Sequence, residues 1–229
     1  MNDPSPFLVW SFAVLGVLVA AAFPLGVRRA GGRWMLAAGG TALWLALTAS
    51  AAASGVLRFT GTPPTMGLLM ASVLALALGI GLSGVGKRLA AGLPLAALVG
   101  VHAFRLPLEL LMHRAFEEGV MPGQMSYTGR NFDIVTGITA IGVAGLLAAG
   151  RMPAWGVRAW NWMGMALLVN VMVIANLSTP SPYRVFMNEP ANVWVARAPF
   201  VWLPAVMVLT ALLGHVVLFR RLRMERRPG

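Results

Sequence analysis

The sequence predicts an all-α polytopic membrane protein, a bundle of seven transmembrane helices with the N-terminus outside and the C-terminus cytoplasmic. Three observations predict it. Hydrophobic residues make up 58% of the chain and charged ones 11%, whereas a soluble domain carries about 25% charged residues. The apolar residues form continuous runs of about 20, the length that crosses the hydrocarbon core, without the period-two alternation of a membrane β-barrel. Basic residues gather after every second run, as the positive-inside bias requires. The whole chain, 1–229, reads as one integral membrane domain.

The first run, 7–25, follows Asn2, Asp3, Pro4, Ser5 and Pro6, a start without the basic residues of a secretory signal. Ala20, Ala21 and Ala22 imitate a cleavage site, and processing there would leave six spans. Arg28, Arg29 and Arg33 follow the run and place this turn inside. The second span, 34–57, reaches an outer turn with Pro63 and Pro64. The third, 66–85, ends inside at Lys87 and Arg88. The fourth, 89–113, is the charged one, and an outer loop with Glu117 and Glu118 follows it. The fifth, 132–150, ends inside at Arg151 and Arg158. The sixth, 159–178, leads to the longest outer loop, 179–199, and the seventh, 200–219, ends in Arg220, Arg221, Arg223, Arg226 and Arg227. Of the seven acidic residues only Glu225 falls inside, so opposite charges meet in the outer half. Spans two, three and five are rich in small residues such as Gly79, Gly81, Gly137, Gly142 and Gly145, which let helices approach closely in lipid.

The chemistry concentrates in the fourth span. His102, Arg105, Glu109 and His113 stand at i, i+3, i+7 and i+11, one face of a helix. An ionised side chain at mid-bilayer costs about 2.5–3.5 kcal/mol on insertion scales, so these residues face protein or a wet cavity. Arg105 and Glu109 have the i, i+4 spacing of a pair on one helix. Pro107 removes an N–H and predicts a kink. Arg130, Asn131 and Asp133 open the fifth span from the same side. Asp133 suits the positive end of a helix dipole, Arg130 and Asn131 supply donors for an anion, and Thr136 lies one turn deeper. Asn170 and Asn176 read as interhelical amides, Asn176 nearer the pocket. Trp34, Trp155, Trp160 and Trp194 read as interfacial belt residues.

Several classes are disfavoured. A net charge of +11 would suggest nucleic acid in a soluble protein, but here it follows from the inner loops. Without cysteine there is no disulfide, thiolate ligand or thiol nucleophile. The three histidines read as lying at three depths, His102 and His113 about 16 Å apart along one helix and His215 near the inner face. That predicts no shared metal ion and no bis-histidine haem. There is no phosphate-binding loop or dinucleotide fingerprint, no serine-hydrolase elbow, and no lysine in the last span to hold retinal.

The residues Phe104, Arg105, Pro107 and Glu109, then Gly129, Arg130, Asn131, Phe132 and Asp133, then Pro199, Phe200, Val201, Trp202, Leu203 and Pro204, carry a resemblance. Over about residues 100–220 the chain resembles a family of uncharacterised bacterial multi-pass inner-membrane proteins. The resemblance implies the bacterial cytoplasmic membrane and no particular activity.

The expected site is a charged pocket open to the non-cytoplasmic side, formed by Arg105, Glu109, His113, Arg130, Asn131 and Asp133. The loop 179–199, with Tyr183, Arg184 and Trp194, would lie over it as a lid. The leading expectation is binding or transfer of a small polar or amphiphilic ligand, such as an anionic lipid headgroup, with no cofactor and no metal. One alternative is a structural or partner subunit of a membrane complex. Another is a membrane enzyme using Glu109 or His113 as acid and base.

Overall fold

In the computed structural model, residues 2–225 are described and every regular element among them is a helix. Arg226 and Arg227, counted above with the inner cluster, lie outside the described residues. The first helix, α1 (Pro6–Arg29), starts where Ser5 Oγ accepts the N–H of Leu8 at 3.2 Å and Pro6 takes the first helical position. A reversal at Gly31, φ +69°, leads into α2 (Trp34–Ala53). Next come α3 (Thr65–Leu82) and the short α4 (Gly84–Gly92), which begins when Ser83 caps it through the N–H of Val85.

The fourth span departs from its expected limits of 89–113. Leu93 precedes a proline and takes an extended conformation, φ −102° and ψ 143°, as the ring of Pro94 demands, so α4 stops there. The membrane-length segment is Leu95–Glu117. It comprises α5 (Leu95–Gly100), a 3₁₀ turn (Val101–Phe104) and α6 (Arg105–Glu117). Pro107 falls in the first turn of α6, where its missing N–H costs least. The irregularity expected at Pro107 is displaced into the 3₁₀ turn that carries His102.

After α6 come α7 (Ile134–Ala148), α8 (Ala154–Leu177), a π-helical stretch (Leu203–Val208) and α9 (Leu209–Met224). Among the described residues six segments are long and apolar enough to cross a membrane; α7, with 15 residues, is shorter than the 132–150 expected of the fifth span. At about 1.5 Å per residue, α7 rises about 22 Å against a hydrocarbon core of about 30 Å. The last span also sits a few residues later than expected, at Leu203–Met224, and the sixth begins earlier, at Ala154.

Leu18, Leu43, Leu47, Leu68, Ile138, Ile141, Val169 and Trp162 stand exposed on the helix flanks. So much exposed apolar surface on so many helices marks a wall facing lipid. The centre is built on α9, the most buried of the membrane-length segments, with α3, α8 and the 3₁₀ turn packed around it. The helix α2 is peripheral: it packs on α1, buries only Thr48 and Ala52, and is held by Trp44 Nε1 donating to Ala205 O at 2.8 Å. Trp194 and Trp160 are core residues where the sequence suggested an interfacial belt. Trp194 is enclosed by Phe12 and Phe200 with ring centroids at 5.4 and 5.0 Å, and Trp160 Nε1 donates to Thr139 Oγ1 at 2.9 Å. Trp34 and Trp155 are exposed.

Candidate functional site

The α6–α7 loop and the segment after α8 gather at one end of the bundle, with the α2–α3 connection beside them. Gln124 Nε2 donates to Ser178 Oγ at 2.9 Å, joining the α6–α7 loop to the end of α8. Ser5 and Asn2 meet Glu118 beside them. At the opposite, basic end, Arg220 donates to the carbonyls of Gly81 and Ser83 and Arg221 to those of Ala90 and Ala91, so each caps carbonyls at the close of a helix.

Between the two ends lies a buried ionic cluster. Arg105, at the start of α6, donates from Nη1 to Asp133 Oδ1 at 2.7 Å and to Gly164 O at 3.3 Å. Asp133, just ahead of α7, also accepts from Thr136 Oγ1 at 3.0 Å. Glu109, one turn further along α6, accepts from Asn131 Nδ2 at 2.7 Å. Asn131 locks the two pairs together: Nδ2 also donates to Met125 O, and its Oδ1 accepts the N–H of Asp133. Arg105, Glu109, Asn131, Asp133 and Thr136 are all between 0 and 3% exposed. Gly137 permits this closeness, because a Cβ there would overlap the backbone of Leu106.

Four of the six residues expected at the site, Arg105, Glu109, Asn131 and Asp133, are thus brought together, but in a different pairing. The i, i+4 pair of Arg105 with Glu109 is replaced by bonds between elements. An arginine preceding its carboxylate is the weaker order on one helix, and Asp133 offers a short contact. His113 stands further along α6, with Nδ1 2.8 Å from Ser126 Oγ and its ring against Tyr127. Arg130 stays outside the cluster. Its guanidinium lies over the ring of Phe186 at 5.3 Å, while its carbonyl accepts from Asn170 Nδ2. The cluster is enclosed by protein, where an open pocket was expected.

Histidine depth is the larger correction. The rings of His102 and His215 lie with centroids 4.2 Å apart, and Trp160 packs edge-on to His102 at 5.5 Å. His215 Nδ1 is 2.7 Å from Asn161 Oδ1, and both histidines are fully buried. Counting residues along each helix put them at different depths. The stagger of α9 against the fourth span, which no single-helix count contains, brings them level.

The open space lies beside the cluster. A cavity of about 600 Å³ at the loop-rich end is walled by Met66, Met70, Met125, Val171, Leu203 and Val208, with Asn176, Thr179, Ser181 and Asn192 among its polar groups. Met125 belongs to both features, lining the cavity and accepting from Asn131 through its carbonyl. The loop 179–199 forms part of the wall through Tyr183 and Val195. Trp194 is core, and Arg184 is occupied by Glu189 at 2.9 Å. That bond, with the N–H of Ala191, holds the Glu189 carboxyl below its ordinary range. For Glu118, partial burial opposes ionisation, and the N–H and hydroxyl of Ser5 with Arg114 outweigh it, so its carboxyl titrates below the usual range.

Fold and buried polar core together define a multi-pass α-helical membrane protein. Over residues 62–223 the chain matches the family described as a domain of unknown function, DUF8737, and it belongs to that family. No curated protein and no solved structure matches it. The matched residues include the whole ionic cluster, both stacked histidines and most of the cavity wall, whereas α1 and α2 precede them.

Proposed function

We propose that the chain crosses a bacterial cytoplasmic membrane seven times, N-terminus outside and C-terminus inside, and binds a small amphiphilic ligand in the cavity at the outer end. The seventh crossing is supported by chain direction. The α6–α7 loop and the end of α8 meet through Gln124 and Ser178, which supports a return of the chain through α7 despite its 15 residues. Orientation is supported by Arg28, Arg29, Arg33, Lys87, Arg88, Arg151 and Arg158, which share the basic end with the arginines of α9.

The observation that carries the ligand reading is the cavity itself. Its volume of about 600 Å³ falls within the range of small-molecule sites, about 300–1,000 Å³. Flexible thioethers of Met66, Met70 and Met125 suit an irregular apolar tail, and Asn176, Thr179 and Asn192 offer hydrogen bonds to a polar head. The test is a native mass spectrum of the detergent-purified protein beside Met70→Trp, whose bulkier indole would intrude into the space a ligand needs. A non-peptide mass on the wild type and its absence from a folded variant would support the reading. A bare, folded chain in both would overturn it and favour a structural subunit, whose polar residues serve as internal braces. The closure of the ionic cluster favours that second reading.

A further inference from the structure

Five buried nitrogens beside the ionic cluster find no hydrogen-bond partner among the described residues: Nδ1 and Nε2 of His102, Nε2 of His215, and Nε and Nη2 of Arg105. Buried polar atoms in folded proteins are nearly always partnered; the two Arg105 nitrogens are donors only, so the free sites able to take a proton are the lone pairs of the two imidazoles, one on each ring. Packing limits what those sites can take. A Cβ on Gly214 would lie 2.7 Å from His102 Nε2, and one on Gly164 would lie 2.6 Å from His215 Cε1. Imidazoles pressed this closely onto glycine backbone leave no room for an organic ligand or haem. Among the described residues no group of three side chains could hold a metal ion. A proton needs no room.

Charge points the same way. The enclosed run contains one guanidinium, Arg105, and two carboxylates, Glu109 and Asp133. With neutral imidazoles its formal charge is −1, an imbalance that low-dielectric surroundings penalise. The neighbouring elements do not correct it. Facing the histidines, α8 supplies Trp160 and Asn161; α3, α5 and α7 carry no titratable side chain, α1 has none between Asp3 and Arg28, and Lys87 and Arg88 of α4 are exposed. One added proton makes the run neutral.

The residues are arranged as a ladder along one face. From His102 to Glu117 the fourth span rises about 22 Å at ~1.5 Å per residue, passing Arg105, Glu109 and His113. At the loop-rich end His113 Nε2 lies 3.7 Å from Glu117 Oε1, and the side chain of Glu117 is half exposed. Towards the basic end, Val157, Leu218 and Leu222 are buried beyond the stacked pair. The ladder opens at one end and is closed by apolar side chains at the other.

We propose that this ladder is a proton-uptake site: a proton entering at the loop-rich end by way of Glu117 and His113 passes to Glu109 and is shared with the stacked pair of His102 and His215. The step is proton transfer alone. An O–H bond of hydronium breaks, an O–H bond on Glu109 or an N–H bond on an imidazole forms, water is left outside, and the run goes from −1 to neutral. Asn161 orients the pair by holding His215 Nδ1.

The experiment is ¹⁵N NMR of the imidazoles in full-length protein in lipid nanodiscs, titrated across about pH 4 to 9, a window centred on the ordinary histidine range. The chain has three histidines, so single His→Gln variants assign every ring. Rings of His102 and His215 should titrate together as one coupled unit, and Glu109→Gln should lower their proton affinity by on the order of tenfold, one unit of pH. Rings that do not titrate in the wild type, or that ignore Glu109→Gln, would overturn the proposal. Should Glu109→Gln fail to fold, the wild type in sealed vesicles decides. Acidifying the loop-rich side should protonate the pair and acidifying the basic side should not; equal response from both sides would overturn the ladder.

Discussion

At Arg105 the chain commits a full charge to the bundle core and balances it with Asp133 at 2.7 Å. Removing one partner of a buried pair leaves the other charge uncompensated, at a cost of about 3–5 kcal/mol. Arg105→Ala is therefore expected to unfold the protein or sharply lower its melting temperature in detergent. Asp133→Asn, which keeps an acceptor for Nη1, should lose less. If Arg105→Ala melts like the wild type, the pair is not a brace. The stripe of span four was legible in the sequence because ionisable residues in an apolar run stand out at helical spacing. Its partner was not, since spacing along one helix reports a face and says nothing about which neighbour meets it. Asn131 shows the same limit: it read as a donor for an external anion, and it is spent on Glu109 and Met125 O.

For whole elements, composition announced close packing of α7 without saying which glycine makes the contact. A Cβ on Gly137 would overlap the backbone of Leu106, whereas one on Gly142 meets nothing within 4 Å. Gly137→Ala should therefore destabilise by about 1–3 kcal/mol through overpacking. Gly142→Ala should be neutral or stabilise by up to about 1 kcal/mol, since alanine is the better helix former. Thermal unfolding of the two variants side by side checks this, and equal melting temperatures would refute it. A second element-scale bond ties the start of α1 to the end of α6, where Glu118 Oε2 accepts the N–H of Ser5 at 2.8 Å and Oε1 its hydroxyl at 2.7 Å. A carboxyl that titrates lower in the folded state than in the unfolded one stabilises above its unfolded value, near pH 4.3. That contribution disappears as pH falls through the folded value. Wild-type stability should exceed that of Glu118→Gln by a constant margin near neutrality, and the margin should shrink below about pH 4. A margin that grows on acidification would contradict the bond.

Across the whole molecule, the helical membrane class and most boundaries followed from hydropathy and from prolines and glycines between runs. What hydropathy misplaced were the features set by packing between helices: the break at Pro94, the short α7 and the common level of His102 and His215. The absence of cysteine gives a clean background for testing the proposed topology. Met187→Cys lies in an exposed part of the loop-rich end, and Arg33→Cys and Arg151→Cys lie exposed at the basic end. In right-side-out spheroplasts a membrane-impermeant maleimide should label Met187→Cys at once, and the other two only after permeabilisation. Labelling of Arg33→Cys and Arg151→Cys alone would invert the orientation. Labelling of Arg151→Cys together with Met187→Cys, with Arg33→Cys protected, would mean that α7 re-enters without crossing. That result would also conflict with the bond from Gln124 to Ser178, because α8 would then have to begin and end on one side. The proposed seventh crossing therefore rests on a helix too short to announce itself by hydropathy, and Arg151→Cys is the position that decides it.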